Sequence, residues 1–173
     1  MVGIKRSRPE LVCVGYMGDG GGYSIGSQHL VNSAVRNEKV TLILVNNTNY
    51  GMTGGQMAPT TLPGQKTETT PYGRDVEQTG YPTKGPEFIA ALTSDNAYVA
   101  RATVSKYKQL KRFIKNALRN QIEGNGFSFV EVLSTCPTNW RTNAKQTWSF
   151  LEDQMEQYYP VGELKNPFGK GDK

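Results

Sequence analysis

Four short apolar runs punctuate the chain: Leu11–Met17 (LVCVGYM), Val40–Val45 (VTLILV), Ala97–Val104 (AYVARATV) and Phe127–Leu133 (FSFVEVL). All are rich in β-branched residues, and the first two are nearly unbroken. Strands of a parallel sheet covered on both faces have this pattern. Between the first two runs, Ile25, Leu30, Val31, Ala34 and Val35 recur at helical spacing, predicting a helix over Ile25–Asn37 with Ser24 as its N-cap. A second helix is predicted over Lys108–Glu123, with Leu110, Phe113, Ile114, Ala117, Leu118 and Ile122 on one face and Gly124 and Gly126 ending it. Pro86 opens a shorter helix to Thr93, and a last one runs over Ala144–Gln157 before Pro160. Strand and helix alternate four times. The fold class is therefore α/β: a mainly parallel twisted sheet with helices on both faces.

Asn46–Gly85 breaks the alternation. These forty residues are rich in Gly, Thr, Pro and Gln and follow neither period. Long unpatterned connections in compact domains usually bind a ligand or pack on a partner. This one leaves the C-terminal end of a predicted parallel strand, where open α/β sheets place ligands.

Composition narrows the class. The 173 residues suit one domain, spanning 1–173, with a frayed tail over 166–173. No apolar stretch is long enough to cross a membrane, and the N-terminus lacks the apolar core of a signal peptide. Two cysteines cannot build a disulfide framework, so a reduced, cytoplasmic setting is expected. The net charge of +5 permits phosphates or an acidic partner without demanding nucleic acid. Lys106, Lys108, Lys111, Arg112, Lys115 and Arg119 read as a solvated helix face, with docking to an acidic protein as the functional alternative. His29 has no partner residue nearby in sequence and reads as a surface or structural histidine. Trp140, Tyr158 and Tyr159 are either core or interface anchors.

The chemistry gathers at Gly18-Asp19-Gly20-Gly21-Gly22, where the first strand meets the first helix. The glycines fit neither register of a dinucleotide fingerprint, and no Gly-Lys-Ser/Thr follows for a Walker A loop. What remains is a carboxylate in a turn with bare backbone N–H groups beside a helix N-terminus. That combination suits a phosphate with a divalent cation. Asn46-Asn47, at the end of the adjacent strand, can add an amide oxygen to the oxygen set that Mg²⁺ requires.

Gly-Asp-Gly followed, 25 residues on, by Asn-Asn resembles the signature of thiamine diphosphate enzymes. Asn49-Tyr50-Gly51-Met52-Thr53-Gly54-Gly55-Gln56, Pro59-Thr60-Thr61, Thr70-Pro71-Tyr72-Gly73-Arg74, Gly126–Glu131 and Ser134–Trp140 are similar to the beta subunit of 2-oxoacid:ferredoxin oxidoreductases, over about Ile4–Phe168. The resemblance implies oxidative decarboxylation of a 2-oxoacid to an acyl-CoA, with electrons passing through iron–sulfur centres to ferredoxin. It implies Mg²⁺ on Asp19, the Asn47 side chain and the Asn49 main-chain oxygen. By the same resemblance, Gly18, Gly20 and Gly21 would lie along the diphosphate of the cofactor, and Gly51, Met52 and Thr53 would border it on the substrate side.

Cys136 resembles the last ligand of a [4Fe-4S] cluster found in many such subunits. The family's other ligands come from an N-terminal Cys-x-x-Cys segment and a further cysteine. With only Cys13 besides Cys136, the expectation is a fragment or split product, or a member without the cluster. The activating carboxylate is expected on another subunit. A non-oxidative thiamine diphosphate enzyme subunit and a non-catalytic assembly remnant remain open beside this reading.

Overall fold

The computed structural model describes residues 1–169. A helix α1 (Val2–Ser7) precedes β1 (Val14–Gly18), a π-helical turn (Gly21–Ile25), α2 (Ser27–Val35) and β2 (Thr41–Asn46). The long connection holds a two-residue pair, β3 (Asn49–Tyr50) and β4 (Gln56–Met57), and a short helix α3 (Val76–Thr79). Then come α4 (Gly85–Leu92), β5 (Tyr98–Thr103), α5 (Tyr107–Ile122) and β6 (Ser128–Leu133). The chain finishes with α6 (Pro137–Trp140), α7 (Ala144–Ser149), a π-helical stretch (Phe150–Met155), α8 (Glu156–Tyr158) and β7 (Gly162–Lys165).

The main sheet runs in the order β1-β2-β6-β5-β7, parallel throughout except for β7, which lies antiparallel on β5. Helices cover both faces. On one, Leu30 and Ala34 of α2 and Ile89 of α4 pack on Leu42, Leu44, Val99 and Phe129. On the other, Phe113 and Ala117 of α5 pack on Ala100, Ala102, Val130 and Val132. A third cluster of Leu62, Leu133, Leu151, Met155 and Tyr159 ties the long connection to the C-terminal helices. Tyr159 is thus core, with Trp140 and Tyr158 half-buried against it.

Several sequence expectations need correction. β1 begins three residues later than its apolar run and is covered on one face only. It is an edge strand, and α5 packs chiefly on β5, β6 and the start of β2, meeting the chain before β1 through Gln121, which bonds the Cys13 N–H and carbonyl. Tyr16 is 75% exposed, and Val14 and Val12 are exposed beside it. Ser24 is not a cap. Helical turns already begin at Asp19 and Gly20, ahead of the π-helical turn, so Ser24 sits inside that turn and Gly26 occupies the N-cap of α2. Ile25, placed in the buried stripe, is 86% exposed in consequence.

The 46–85 connection is ordered by polar contacts rather than by an apolar period. Buried Arg74 donates to the carbonyls of Thr61 (2.6 Å), Pro59 (3.2 Å) and Gly80 (2.8 Å) and so gathers three turns around one guanidinium. β7 escaped prediction because Gly-Glu-Leu-Lys has neither length nor alternation. Of the tail expected to fray, Phe168 packs against the α5 cluster and under the Arg119 guanidinium. Residues 170–173 lie outside the described residues.

Candidate functional site

β1 and β2 are register neighbours, with Gly18 opposite Val45. The turn after β1 therefore lies beside the Asn46-Asn47 step after β2. Gly18, Asp19, Gly20, Gly21, Asn47, Asn49, Gly51, Met52 and Thr53, the residues singled out from sequence, all line one cavity of about 240 Å³, together with Tyr50. A larger hollow of about 780 Å³ lies on the other side of the turn, between α1, β1 and α2. Its lining includes Met17, His29, Arg36 and Leu42 and no carboxylate to balance a divalent cation.

Asp19 is 2% exposed. It accepts the Gly20 N–H at 2.9 Å and the hydroxyl of Thr60, from the long connection. No cationic side chain helps to hold it charged among the described residues. Burial pushes its carboxyl up to about 7, and the negative charge of Glu131 acts in the same direction, against the two hydrogen bonds. A buried carboxylate in this condition has room for a cation.

The other oxygens are held by a strained turn. Thr48 has a φ of 60°, a conformation that costs a β-branched residue about 1–3 kcal/mol. It is held there from several directions. Its N–H donates to Asn46 Oδ1 (3.0 Å), its hydroxyl donates to the Asn47 carbonyl (2.7 Å), and its own carbonyl accepts from Thr61 (2.6 Å). The turn brings Asn47 and Asn49, on either side of buried Thr48, to the cavity lining. Asn47 Oδ1 accepts only a long contact from the Asn49 N–H (3.3 Å), and Asn49 Oδ1 is buried with no partner among the described residues.

The glycines divide into two kinds. At Gly18 and Gly21 nothing lies within 4 Å of where a side chain would project, so a bulky anion has space there. At Gly20 a Cβ would come within 2.2 Å of the Tyr50 ring, whose hydroxyl donates to the Gly20 carbonyl (3.3 Å). These features fit a diphosphate and a divalent cation: an under-compensated acid, spare amide oxygens and a bare backbone turn. Tyr50 and Thr60 were quoted in the sequence motifs but given no role. Their contacts with Gly20 and Asp19 cross between segments, which spacing alone does not reveal.

The segment after β6 closes one side. Asn139 donates to the Gly51 carbonyl (2.8 Å) and to Cys136 Sγ (3.4 Å), and Trp140 Nε1 donates to the Asn47 carbonyl (3.1 Å). Cys136 follows the C-terminal end of β6, whereas Cys13 precedes β1 at the opposite end of the sheet, about 20 Å away for a six-residue strand. Both are free, and among the described residues no three His, Cys, Asp or Glu side chains gather as metal ligands. A four-thiolate cluster does not fit this chain's residues.

The comparisons with known proteins agree with this geometry. A family model described as thiamine pyrophosphate enzyme, C-terminal TPP binding domain, matches residues 1–132. The chain belongs to this family. Among relatives of the domain, the ketoisovalerate oxidoreductase subunit VorA of Methanothermobacter thermautotrophicus is 43% identical over 167 residues, covering 95% of this chain and 35% of that protein. The 2-oxoglutarate synthase subunit KorB of Archaeoglobus fulgidus is 40% identical, covering 90% of this chain and 54% of that one. A solved 2-oxoglutarate:ferredoxin oxidoreductase from Magnetococcus marinus, with 2-oxoglutarate, coenzyme A and succinyl-CoA bound, superposes with a TM-score of 0.74 at 31% identity. That match covers 95% of this chain and 60% of the solved one. The thiamine pyrophosphate domain thus spans between a third and about half of these curated relatives. None of its helices, among the described residues, is long and apolar enough to cross a membrane.

Proposed function

We propose that this domain holds thiamine diphosphate and Mg²⁺ for a multi-subunit 2-oxoacid:ferredoxin oxidoreductase that decarboxylates a 2-oxoacid oxidatively to an acyl-CoA. The observation that carries the reading is Asp19: a buried carboxylate without a cationic partner among the described residues, in a cavity shared with Asn47 and Asn49. In this reading Asp19, the Asn47 carboxamide oxygen and the Asn49 main-chain oxygen hold Mg²⁺. The backbone of Gly18, Gly20 and Gly21 carries the diphosphate, with the cation neutralising its charge.

When bound, thiamine diphosphate supplies the electron sink that makes loss of CO₂ from a 2-oxoacid feasible. The chain's own contribution is binding and orientation. Tyr50 blocks Gly20 from moving toward it, Thr60 fixes the Asp19 carboxyl, and Gly51, Met52 and Thr53 form the rim toward substrate. Met52 is 99% exposed there, as expected of a residue that meets substrate or another subunit. The names of the relatives support a 2-oxoacid such as 2-oxoglutarate or ketoisovalerate as substrate. The coenzyme A in the solved neighbour supports that acyl acceptor.

Other subunits dock in this reading on the uncovered apolar surface of Val14, Tyr16 and Ile25, and one supplies the activating carboxylate. Ferredoxin takes the electrons through clusters whose ligands this chain does not complete, even if Cys136 contributes one. The two free thiols fit a cytoplasmic setting. The test is an anaerobic assay of the purified assembly: ferredoxin reduction that requires both a 2-oxoacid and coenzyme A. Bound thiamine diphosphate with no electron transfer from any 2-oxoacid would favour a non-oxidative thiamine enzyme instead.

A further inference from the structure

Beneath the cavity lies a charged network that the proposed chemistry does not use. Glu131, in the middle of β6, and Arg101, its register partner on β5, are both fully buried and ion-paired. The Arg101 guanidinium also forks onto Glu87 of α4 with two contacts of 2.7 Å and lies over the Tyr159 ring. One face of the Glu131 carboxylate thus belongs to the arginine.

The other face does something different. Glu131 Oε1 accepts the Tyr23 hydroxyl at 2.8 Å and the Asn46 amide at 3.2 Å. Tyr23 belongs to the turn that follows the diphosphate glycines, and Asn46 is the residue whose Oδ1 holds the Thr48 N–H. A single oxygen therefore joins the end of the glycine turn to the end of β2. Those are the two segments that bring Asp19 and Asn47 to one cavity.

The joint is rigid on both sides. Tyr23 stacks edge-on against Phe129 at 6.4 Å, and its hydroxyl is pressed so closely on Gly85 that a Cβ there would lie 1.8 Å away. Asn46 is fully buried, and its amide orientation decides whether Oδ1 or Nδ2 faces the strained Thr48 turn. Glu131 has acceptors only, so it selects the orientation with Nδ2 inward and Oδ1 on the Thr48 N–H.

We infer that Glu131, anchored by Arg101, is a positioning residue for the divalent cation: by joining Tyr23 to Asn46 it sets the separation between Asp19 and Asn47. The inference rests on the thiamine diphosphate reading above and adds a residue that no cofactor atom need touch. Gln at this position keeps the shape but not the function. Its amide either turns an N–H against the Arg101 N–H groups or gives up the acceptor shared by Tyr23 and Asn46.

The test is a Mg²⁺ titration of the full chain, in the assembly in which it is purified, at saturating thiamine diphosphate. Trp140 of α6, bonded to the Asn47 carbonyl, supplies a fluorescence signal from beside the metal loop. Partners orienting metal ligands are worth about 10–100-fold in metal affinity, so E131Q is expected to raise the half-saturating Mg²⁺ concentration by about that factor. Y23F, which removes one hydrogen bond and no charge, is expected to raise it about fivefold. Thermal unfolding without Mg²⁺ is measured on the same samples. A lowered unfolding temperature with unchanged half-saturation would mean that Glu131 is only a core ion pair, and overturns the inference. If E131Q does not fold, Y23F decides by the same criterion. A wild-type protein with no Mg²⁺-dependent signal would instead remove the thiamine diphosphate reading, a result separable from failure of the Glu131 assignment.

Discussion

Asp19→Asn should stabilise the cofactor-free protein while ending its use of Mg²⁺. The Asp19 carboxyl moves from an ordinary 3.8 to about 7 on folding, chiefly through burial. Because the folded value is the higher one, the native state binds more protons than the unfolded state between roughly pH 4 and 7. Stability contributed by this group is therefore full below pH 4 and is lost as pH rises through 7. Three units at about 1.4 kcal/mol each give a penalty of about 4 kcal/mol above pH 7. Asn keeps the acceptor for the Gly20 N–H and can reverse the bond with Thr60, but it has no charge to bury.

The assay is calorimetric unfolding at pH 5 and pH 8 without cofactor, comparing wild type with the variant. At pH 8 the variant should unfold about 10 °C higher, at 2–4 °C per kcal/mol for a chain of about this size, and the gain should shrink at pH 5. Subtracting the variant cancels the titration of the other carboxylates. Equal unfolding temperatures at pH 8, or a destabilised variant, would refute the claim that Asp19 lies buried and under-compensated. The same shift makes Mg²⁺ compete with a proton, so wild-type cation affinity should fall as pH drops from 8 to 6.

Gly20→Ala must push aside the Tyr50 ring, so it should cost about 1–3 kcal/mol of stability and weaken cofactor binding, both read in one calorimetric titration and melt. Thr60→Val removes the hydroxyl from Asp19 and should move the pH midpoint of Mg²⁺ binding upward, with only about 1 kcal/mol lost in denaturant unfolding. Arg74→Met leaves the carbonyls of Thr61, Pro59 and Gly80 without their shared donor; a loss of about 3 kcal/mol or more and faster proteolysis within 58–80 are expected, with the sheet amides still protected from exchange.

Much of the architecture could be read from local pattern, because its apolar runs are short, β-branched and separated by helical stripes. The site was legible for a simpler reason: glycines and a carboxylate at one strand end, amides at the next, and a parallel sheet that makes those ends neighbours. What escaped depends on contacts between distant segments. Edge exposure at Tyr16 follows from the place of β1 at the sheet edge, beyond the strands that α5 chiefly covers, and no single strand's sequence states that. The order of the long connection comes from Arg74 binding carbonyls, an interaction without periodicity. Arg101 and Glu131 did carry a signal, one charge in the middle of each of two buried strands. Their pairing becomes apparent only when β5 and β6 lie in register. Ser24 looks like a cap from sequence alone, but the glycines before it adopt helical geometry themselves, so the helical turns start upstream of it.

The most direct measurement of the central claim is isothermal calorimetry of thiamine diphosphate binding to this protein with and without Mg²⁺, repeated on Asp19→Ala. Binding that requires the cation in the wild type and vanishes in the variant is the expected outcome. Cation-independent binding, or an affinity that Asp19→Ala leaves intact, would contradict it.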